Sequence, residues 1–161
     1  VLKKLTNPPG RLEEVIVKNN NYKVFIDYAH TPDALKKILI AKTVKKKKPN
    51  IVFGCGGDRD NKKRSIMGSI ANQYAGRVYI TDDNPRSENP KDIRKLILSR
   101  CKRGIEVANR KNAIKQSIKD MKKNEILIIA GKGHEKKQVI KNSIKSFDDY
   151  KIAKQFIQKL K

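Results

Sequence analysis

The sequence predicts an α/β domain, a doubly wound and mainly parallel sheet with a terminal hairpin, and three observations carry that expectation. Short continuous apolar runs, among them Ile51-Val52-Phe53, Val78-Tyr79-Ile80 and Ile126-Leu127-Ile128-Ile129-Ala130, read as strands covered on both faces. Between them, apolar residues recur at three- and four-residue spacing, the period of a helix. Strand and helix patterns alternate along the chain, which is the order of βαβ units. At 161 residues the chain is long enough for one domain with a sizeable core and too short for two ordinary ones.

The elements follow in order. Residues 12–17 and 24–26 read as two strands separated by the polar turn Asn19-Asn20-Asn21. Thr31-Pro32-Asp33 opens a helix with Leu35, Ile38 and Leu39 on one face; proline suits a first turn, where its missing N–H has no partner anyway. The strand Ile51-Val52-Phe53 is followed by a helix carrying Ile66, Met67, Ile70 and Tyr74. Val78–Ile80 is the next strand, and Ile93, Leu96 and Ile97 mark the next helix. A short strand near 105–107 leads to a helix with Ala113, Ile114 and Ile118, then to the strand Ile126–Ala130. Val139-Ile140 and Ile144 suggest a hairpin before a last helix built on Ile152, Ala153, Phe156, Ile157 and Leu160. No internal repeat or long linker interrupts this pattern.

Composition sets the context. No stretch approaches the roughly 20 apolar residues of a membrane span, and the N-terminus lacks a signal-peptide pattern, so neither a membrane nor a secretory route is expected. Cys55 and Cys101 have no metal-ligand spacing and read as buried thiols, which fits a reducing cytoplasm. The formal net charge is +23. A surface that basic would attract nucleic acid without sequence preference, so a basic nucleic-acid-binding module is one reading. Aromatics, however, make up only 6% of the chain with no tryptophan, which leaves few stacking positions, and nucleic acid is not the expected partner.

Four strand-to-loop junctions carry the chemistry. They are Asp27-Tyr28-Ala29-His30-Thr31-Pro32, Gly54-Cys55-Gly56-Gly57-Asp58-Arg59-Asp60, Thr81-Asp82-Asp83-Asn84-Pro85-Arg86 and Gly131-Lys132-Gly133-His134-Glu135. Parallel strands would bring all four to the carboxyl edge of one sheet, where α/β folds bind ligands. The third loop sets carboxylates, an amide and a guanidinium around a proline. That mixture suits a zwitterion, because carboxylates hold an ammonium and an arginine fork holds a carboxylate. A turn with a helix N-cap is the plainer reading of the same residues. The glycines could cradle a phosphate. Yet neither glycine loop matches G-x-G-x-x-G or G-x-x-x-x-G-K-[ST], so no triphosphate site is expected from them. His30 and His134 do not form a metal pair and either could be a hydrogen-bonded structural histidine.

These four motifs, quoted in full from Asp27 to Leu35, Gly54 to Asp60, Asp83 to Arg86 and Ala130 to Glu135, resemble the Mur ligases of peptidoglycan synthesis. More narrowly, they are similar to the C-terminal, Rossmann-like domain of the members that add meso-2,6-diaminopimelate to UDP-N-acetylmuramoyl-L-alanyl-D-glutamate. The resemblance runs in order along essentially the whole chain. Pro9-Gly10-Arg11-Leu12-Glu13 resembles the hand-over from the family's central domain, so residues 1–10 are expected to end a linker and 11–161 to form the amino-acid-binding domain.

The resemblance implies an ATP-dependent amide-bond ligase in which a D-glutamate carboxylate is phosphorylated with Mg²⁺ and the incoming amine then displaces phosphate. It implies that Arg86 grips the carboxylate at the distal end of diaminopimelate, with Asn84 hydrogen-bonding the same end and Pro85 in the turn beside it. Asp83 and Glu135, with the backbone of Gly131, would receive an ammonium, and Arg59 would neutralise a carboxylate. Asp27 and His30 would face the nucleotide. Lys132 and His134 share the motif and are given no role beyond shaping the turn. No residue is expected to be catalytic or to bind metal, and the protein is expected to be a monomer.

Two departures qualify the match. After Asp60 the chain reads Asn61-Lys62-Lys63-Arg64-Ser65, where the family often shows a glycine and then an arginine-proline pair. The family's UDP-sugar-binding and central P-loop domains, which hold most of the ATP and Mg²⁺ contacts, have no counterpart in these residues. The chain is therefore expected to be one domain of a ligase and to be inactive alone. A non-catalytic amino-acid-binding domain is the remaining alternative.

Overall fold

The computed structural model describes residues 8–17 and 21–160. Most of the expected linker, and two of the three asparagines of the first turn, lie outside the described residues. The elements in chain order are β1 (Glu13–Glu14), β2 (Lys23–Asp27), α1 (Pro32–Ala41), β3 (Asn50–Phe53), α2 (Lys62–Tyr74), β4 (Val78–Ile80), α3 (Pro90–Leu98), β5 (Ile105–Glu106), α4 (Arg110–Lys119), β6 (Ile126–Ala130), β7 (Lys137–Ile140), β8 (Ser143–Ser146) and α5 (Asp149–Lys159).

The main sheet has the order β1-β2-β6-β3-β4-β5. Five strands run parallel and only the edge strand β1 is antiparallel. Because period-two strands are apolar on both sides, they feed two cores. Ile51, Phe53, Val78, Ile80, Ile128 and Ala130 pack with Leu35 and Leu39 of α1, Met67 of α2 and Ile97 of α3. Val52, Tyr79, Leu127 and Ile129 pack on the other face with Ile114 of α4 and Ala153 and Ile157 of α5. Each fully buried Leu or Ile contributes about 1.5–3 kcal/mol. Strand order thus places α1 to α3 on one side and α4 and α5 on the other, a doubly wound sheet as the sequence predicts.

Local chemistry explains where the helices start. Thr31 caps α1 by accepting from the Ala34 amide at 3.3 Å, with proline in the first turn. Asn89 and Pro90 repeat the device at α3, and Asn109 and Asp148 cap α4 and α5.

Three expectations are corrected. The first strand shrinks to Glu13–Glu14, because Leu12 turns into the left-handed region (φ +46°) and Ile16 is exposed. The strand near 105–107 ends at Glu106. Ile66 and Leu96 face solvent, and their helices instead bury Arg64, Gly68 and Arg94. The predicted hairpin forms as β7 and β8, separate from the main sheet.

Candidate functional site

Since β2, β6, β3 and β4 are consecutive neighbours and parallel, their carboxyl ends deliver all four predicted loops to one edge. There they enclose a cavity of about 420 Å³, with Tyr28, His30, Cys55, Arg59, Lys63, Asp83, Asn84, Arg86, Gly131 and Glu135 in its wall. That volume lies within the range of small-molecule sites.

The loops are locked to one another through backbone. The Gly57 amide donates to the Asn84 carbonyl at 2.9 Å. A Cβ on Gly54 or Gly57 would overlap the carbonyl oxygens of Thr81 and Pro85, so these glycines serve close loop packing rather than a phosphate cradle. Arg64, buried at the start of α2, ties the same loops together, donating to both oxygens of Glu88 (2.7 and 2.8 Å) and to the Gly56 carbonyl (3.1 Å). The segment that departs from the family pattern therefore still supplies an anchor, and Arg59 lies in the cavity wall as expected.

Arg86 sits at φ +51°, strained for a residue with a Cβ. The hairpin holds it there: its amide donates to the Val139 carbonyl at 3.1 Å, and its own carbonyl accepts from Lys141. The guanidinium Nη1 donates to the carbonyls of Gly57 (2.7 Å) and Asn84 (3.4 Å). Arg86, Arg59 and Lys63 have no carboxylate partner among the described residues. Lys63, which donates to the His30 carbonyl at 3.1 Å, was not marked by sequence reasoning.

The acidic side is built from Asp83 and Glu135. Asp82 turns away to pair with Arg94, while Asp83 faces the cavity. Burial pushes the Asp83 carboxyl up, against the pull of Arg110 and Lys132. Glu135 accepts from Asn84 Nδ2 at 3.0 Å. Asn84 is engaged on both ends, since its Oδ1 accepts from the Lys132 amine at 2.9 Å and the Val139 amide at 3.0 Å. Pro85 is buried beside Gly57, and Gly131, at φ +111°, lies against Asp83, where a Cβ would come within 2.6 Å of Oδ2.

Asp27 is not in the cavity wall; its oxygens accept from the Leu12 and Ala29 amides at 2.8 and 2.7 Å and shape the loop. Lys132 is more than a turn-former, because it is fully buried with its amine on Asn84 and 3.5 Å from Glu135, and burial pushes its pKa down. His30 does line the cavity, with Nδ1 2.8 Å from the Tyr28 carbonyl and its ring 4.6 Å from that of Tyr28. His134 is exposed, with its ring 5.5 Å from that of Tyr28. Arg64, Arg110 and Asp149 were invisible beforehand, since nothing in sequence separates a buried arginine from the other basic residues of so basic a chain.

Comparison with known proteins agrees with this fold. Over 157 residues the chain is 50% identical to the UDP-N-acetylmuramoyl-L-alanyl-D-glutamate–2,6-diaminopimelate ligase of Rickettsia bellii, covering 94% of this chain and 32% of that protein. A solved structure of a ligase of the same name superposes with a TM-score of 0.84 at 36% identity, over 98% of this chain and 33% of the other. The folylpolyglutamate synthase of Mycobacterium tuberculosis, solved with ADP and AMPPCP, shares the fold at a TM-score of 0.55 and 20% identity. The chain spans about a third of the length of the relatives it matches. A family model described as "Mur ligase, glutamate ligase domain" matches residues 10–133, and the chain belongs to that family.

Proposed function

We propose that this chain is the amino-acid-holding domain of an ATP-dependent ligase that joins meso-2,6-diaminopimelate to UDP-N-acetylmuramoyl-L-alanyl-D-glutamate. The observation that carries the reading is the separation of charge in the cavity. Arg86, Arg59 and Lys63 offer cations without carboxylate partners, and Asp83 and Glu135 offer carboxylates in the same wall. A ligand carrying both a carboxylate and an ammonium satisfies both groups.

Arg86 would take the distal carboxylate with guanidinium hydrogens that the Gly57 and Asn84 carbonyls leave unused. Asn84 sets the angle of that end through Glu135, Lys132 and Val139. Asp83, Glu135 and the Gly131 backbone would receive the neighbouring ammonium, and Arg59 a second carboxylate. Pinning one end leaves the other amine oriented for attack, and such positioning can lower a barrier by up to roughly 7–11 kcal/mol. The glycine loop does not fit a triphosphate, and no step through ATP or Mg²⁺ is assigned to these residues. His30 and Asp27 would face the nucleotide, His30 from the cavity wall and Asp27 from the loop that it fixes through the Leu12 and Ala29 amides. The similarity to named ligases favours this reading over a nucleic-acid-binding module or a non-catalytic binding domain. The free buried thiols favour a reducing compartment, the cytoplasm, and no helix among the described residues is long and apolar enough to cross a membrane.

The test is specificity in the complete ligase. Arg86→Ala is expected to cost about 2–5 kcal/mol in kcat/KM for meso-diaminopimelate, because a desolvated carboxylate loses its partner. L-lysine lacks that carboxylate and is expected to be unaffected or slightly favoured. It serves as the internal control for damage to the loop. Equal losses for both amino acids would make Arg86 structural and sink the assignment.

A further inference from the structure

Behind Asp83 lie two buried charges, Arg110 and Asp149, that do not line the cavity and that amino-acid recognition does not itself employ. Arg110, the first residue of α4, is fully buried. Its Nε and Nη2 donate to the two oxygens of Asp149 at 2.9 and 2.7 Å, and Nη2 also donates to the carbonyl of Ala130 at 2.9 Å. Asp149, the first residue of α5, is likewise fully buried. These three bonds fix the guanidinium and leave Nη1 buried without a hydrogen-bond partner, 4.0 Å from Asp83 Oδ2.

The row of charges that they begin continues past Asp83 to Lys132 and Glu135, alternating in sign. Three carboxylates (Asp149, Asp83 and the partly exposed Glu135 at the cavity end) stand against two cations (Arg110, Lys132), which leaves the row itself one positive charge short. An uncompensated charge at low dielectric is costly, and its face toward the cavity is where a cation can relieve it. A pair serving only to staple α4 to α5 needs the Nε and Nη2 edge alone. The unpartnered Nη1 beside Asp83 is not explained by stapling, since buried donors are normally satisfied.

We propose that Arg110, clamped by Asp149, is a positioning residue that holds the Asp83 carboxylate toward the cavity, and that the row selects a ligand bearing an ammonium group at this point. The proposal rests on the reading of the cavity as an amino-acid site and adds the cause of its preference for an ammonium over a bare methylene. Lys132 does the corresponding work from the other side, holding Asn84 and Glu135.

The experiment compares two ligands on the 161-residue chain by ligand-observed NMR titration at fixed ionic strength. One is meso-diaminopimelate; the other is L-2-aminopimelate, which keeps both carboxylates and one amine but lacks the second ammonium. The native chain is expected to favour diaminopimelate by about tenfold. The double variant Arg110→Gln/Asp149→Asn removes one charge of each sign, so the net charge of the row is unchanged while Asp83 loses its partner. It is expected to bring the two affinities within about twofold and to leave 2-aminopimelate binding as it was. An unchanged ratio, or a parallel loss for both ligands, would overturn the positioning role. If the native chain itself shows no preference, the amino-acid reading fails first, and the two failures are thereby distinguished. A melting curve reads whether the variant folds. Should it not, Arg110→Lys, whose single amine can meet Asp149 or Asp83 but not both, is expected to lower the ratio to an intermediate value, and an unchanged ratio there overturns the proposal.

Discussion

Asp82 and Asp83 are adjacent, yet one closes an ion pair with Arg94 beside α3 and the other is kept for the cavity. For Asp83 the result is a carboxyl raised above its usual range by burial, with Arg110 and Lys132 only partly offsetting it. An acid whose folded pKa lies above its unfolded value destabilises the fold when ionised. That penalty is full above the folded pKa, shrinks as pH falls through it and is gone below the unfolded value of about 4. Asp83→Asn is therefore expected to stabilise the ligand-free chain near pH 7 by about 0.5–2 kcal/mol, a gain of the size seen when function and stability conflict. The gain should fade as pH approaches 4, which denaturant midpoints across that range would follow. A gap that stays constant with pH would mean that ionisation of Asp83 is not its cause. The same substitution should weaken diaminopimelate binding, since stability and recognition oppose each other at this residue.

The loops act as one unit because each is held by a neighbour's backbone. Asp58, itself at φ +53°, binds Ser87. The hairpin braces the third loop, with Gln138 donating to the Asp83 carbonyl at 2.8 Å and Val139 engaging Asn84 and Arg86. Two alanine substitutions separate this bracing from ligand contact. Gly57→Ala forces a Cβ into the Pro85 carbonyl, which cannot yield without backbone movement, and is expected to cost about 1–3 kcal/mol of stability. Gly56→Ala meets only the far end of Arg86, at 2.8 Å, and is expected to leave stability within about 0.5 kcal/mol while displacing that guanidinium and weakening ligand binding. Chemical denaturation and ligand titration of both variants test the contrast; equal stability losses would refute it. The sequence made the sheet legible because doubly covered strands are continuous apolar runs, and the four loops legible because parallel strands send their carboxyl ends one way. It could not show that Ile66 and Leu96 face solvent while Arg64 and Arg94 are buried, since hydropathy ranks them the other way round. Nor could it show Asp27 turned inward onto amides, or Lys132 buried, because those depend on partners distant in the chain.

At the scale of the whole molecule, a net charge of +23 surrounds a buried row that lacks one positive charge. The basic envelope draws in anions and repels ammonium groups, but salt screens such fields beyond about 8 Å at physiological strength. Preference for an ammonium must therefore come from the few buried residues at the carboxyl edge. The cavity they form is walled by this chain on the side of Arg86 and Asp83, and its mouth at His30 is exposed. A small zwitterion entering it gives up hydration and translational freedom in return for a handful of polar contacts, some still open to water. The 161-residue chain is thus expected to bind meso-diaminopimelate with a Kd at about the millimolar level or weaker, which corresponds to roughly 4 kcal/mol or less. For the same reason it is expected to hydrolyse no ATP, since its glycine loop is closed by Thr81 and Pro85 and no P-loop pattern is present in its sequence. The complete ligase proposed above is expected to bind the amino acid more tightly, once its other parts close over the open face. Calorimetry or NMR titration decides the point. A submicromolar Kd for the chain alone would show that the clamp is finished without any other part, and measurable ATP turnover would show that these residues form a nucleotide site of their own.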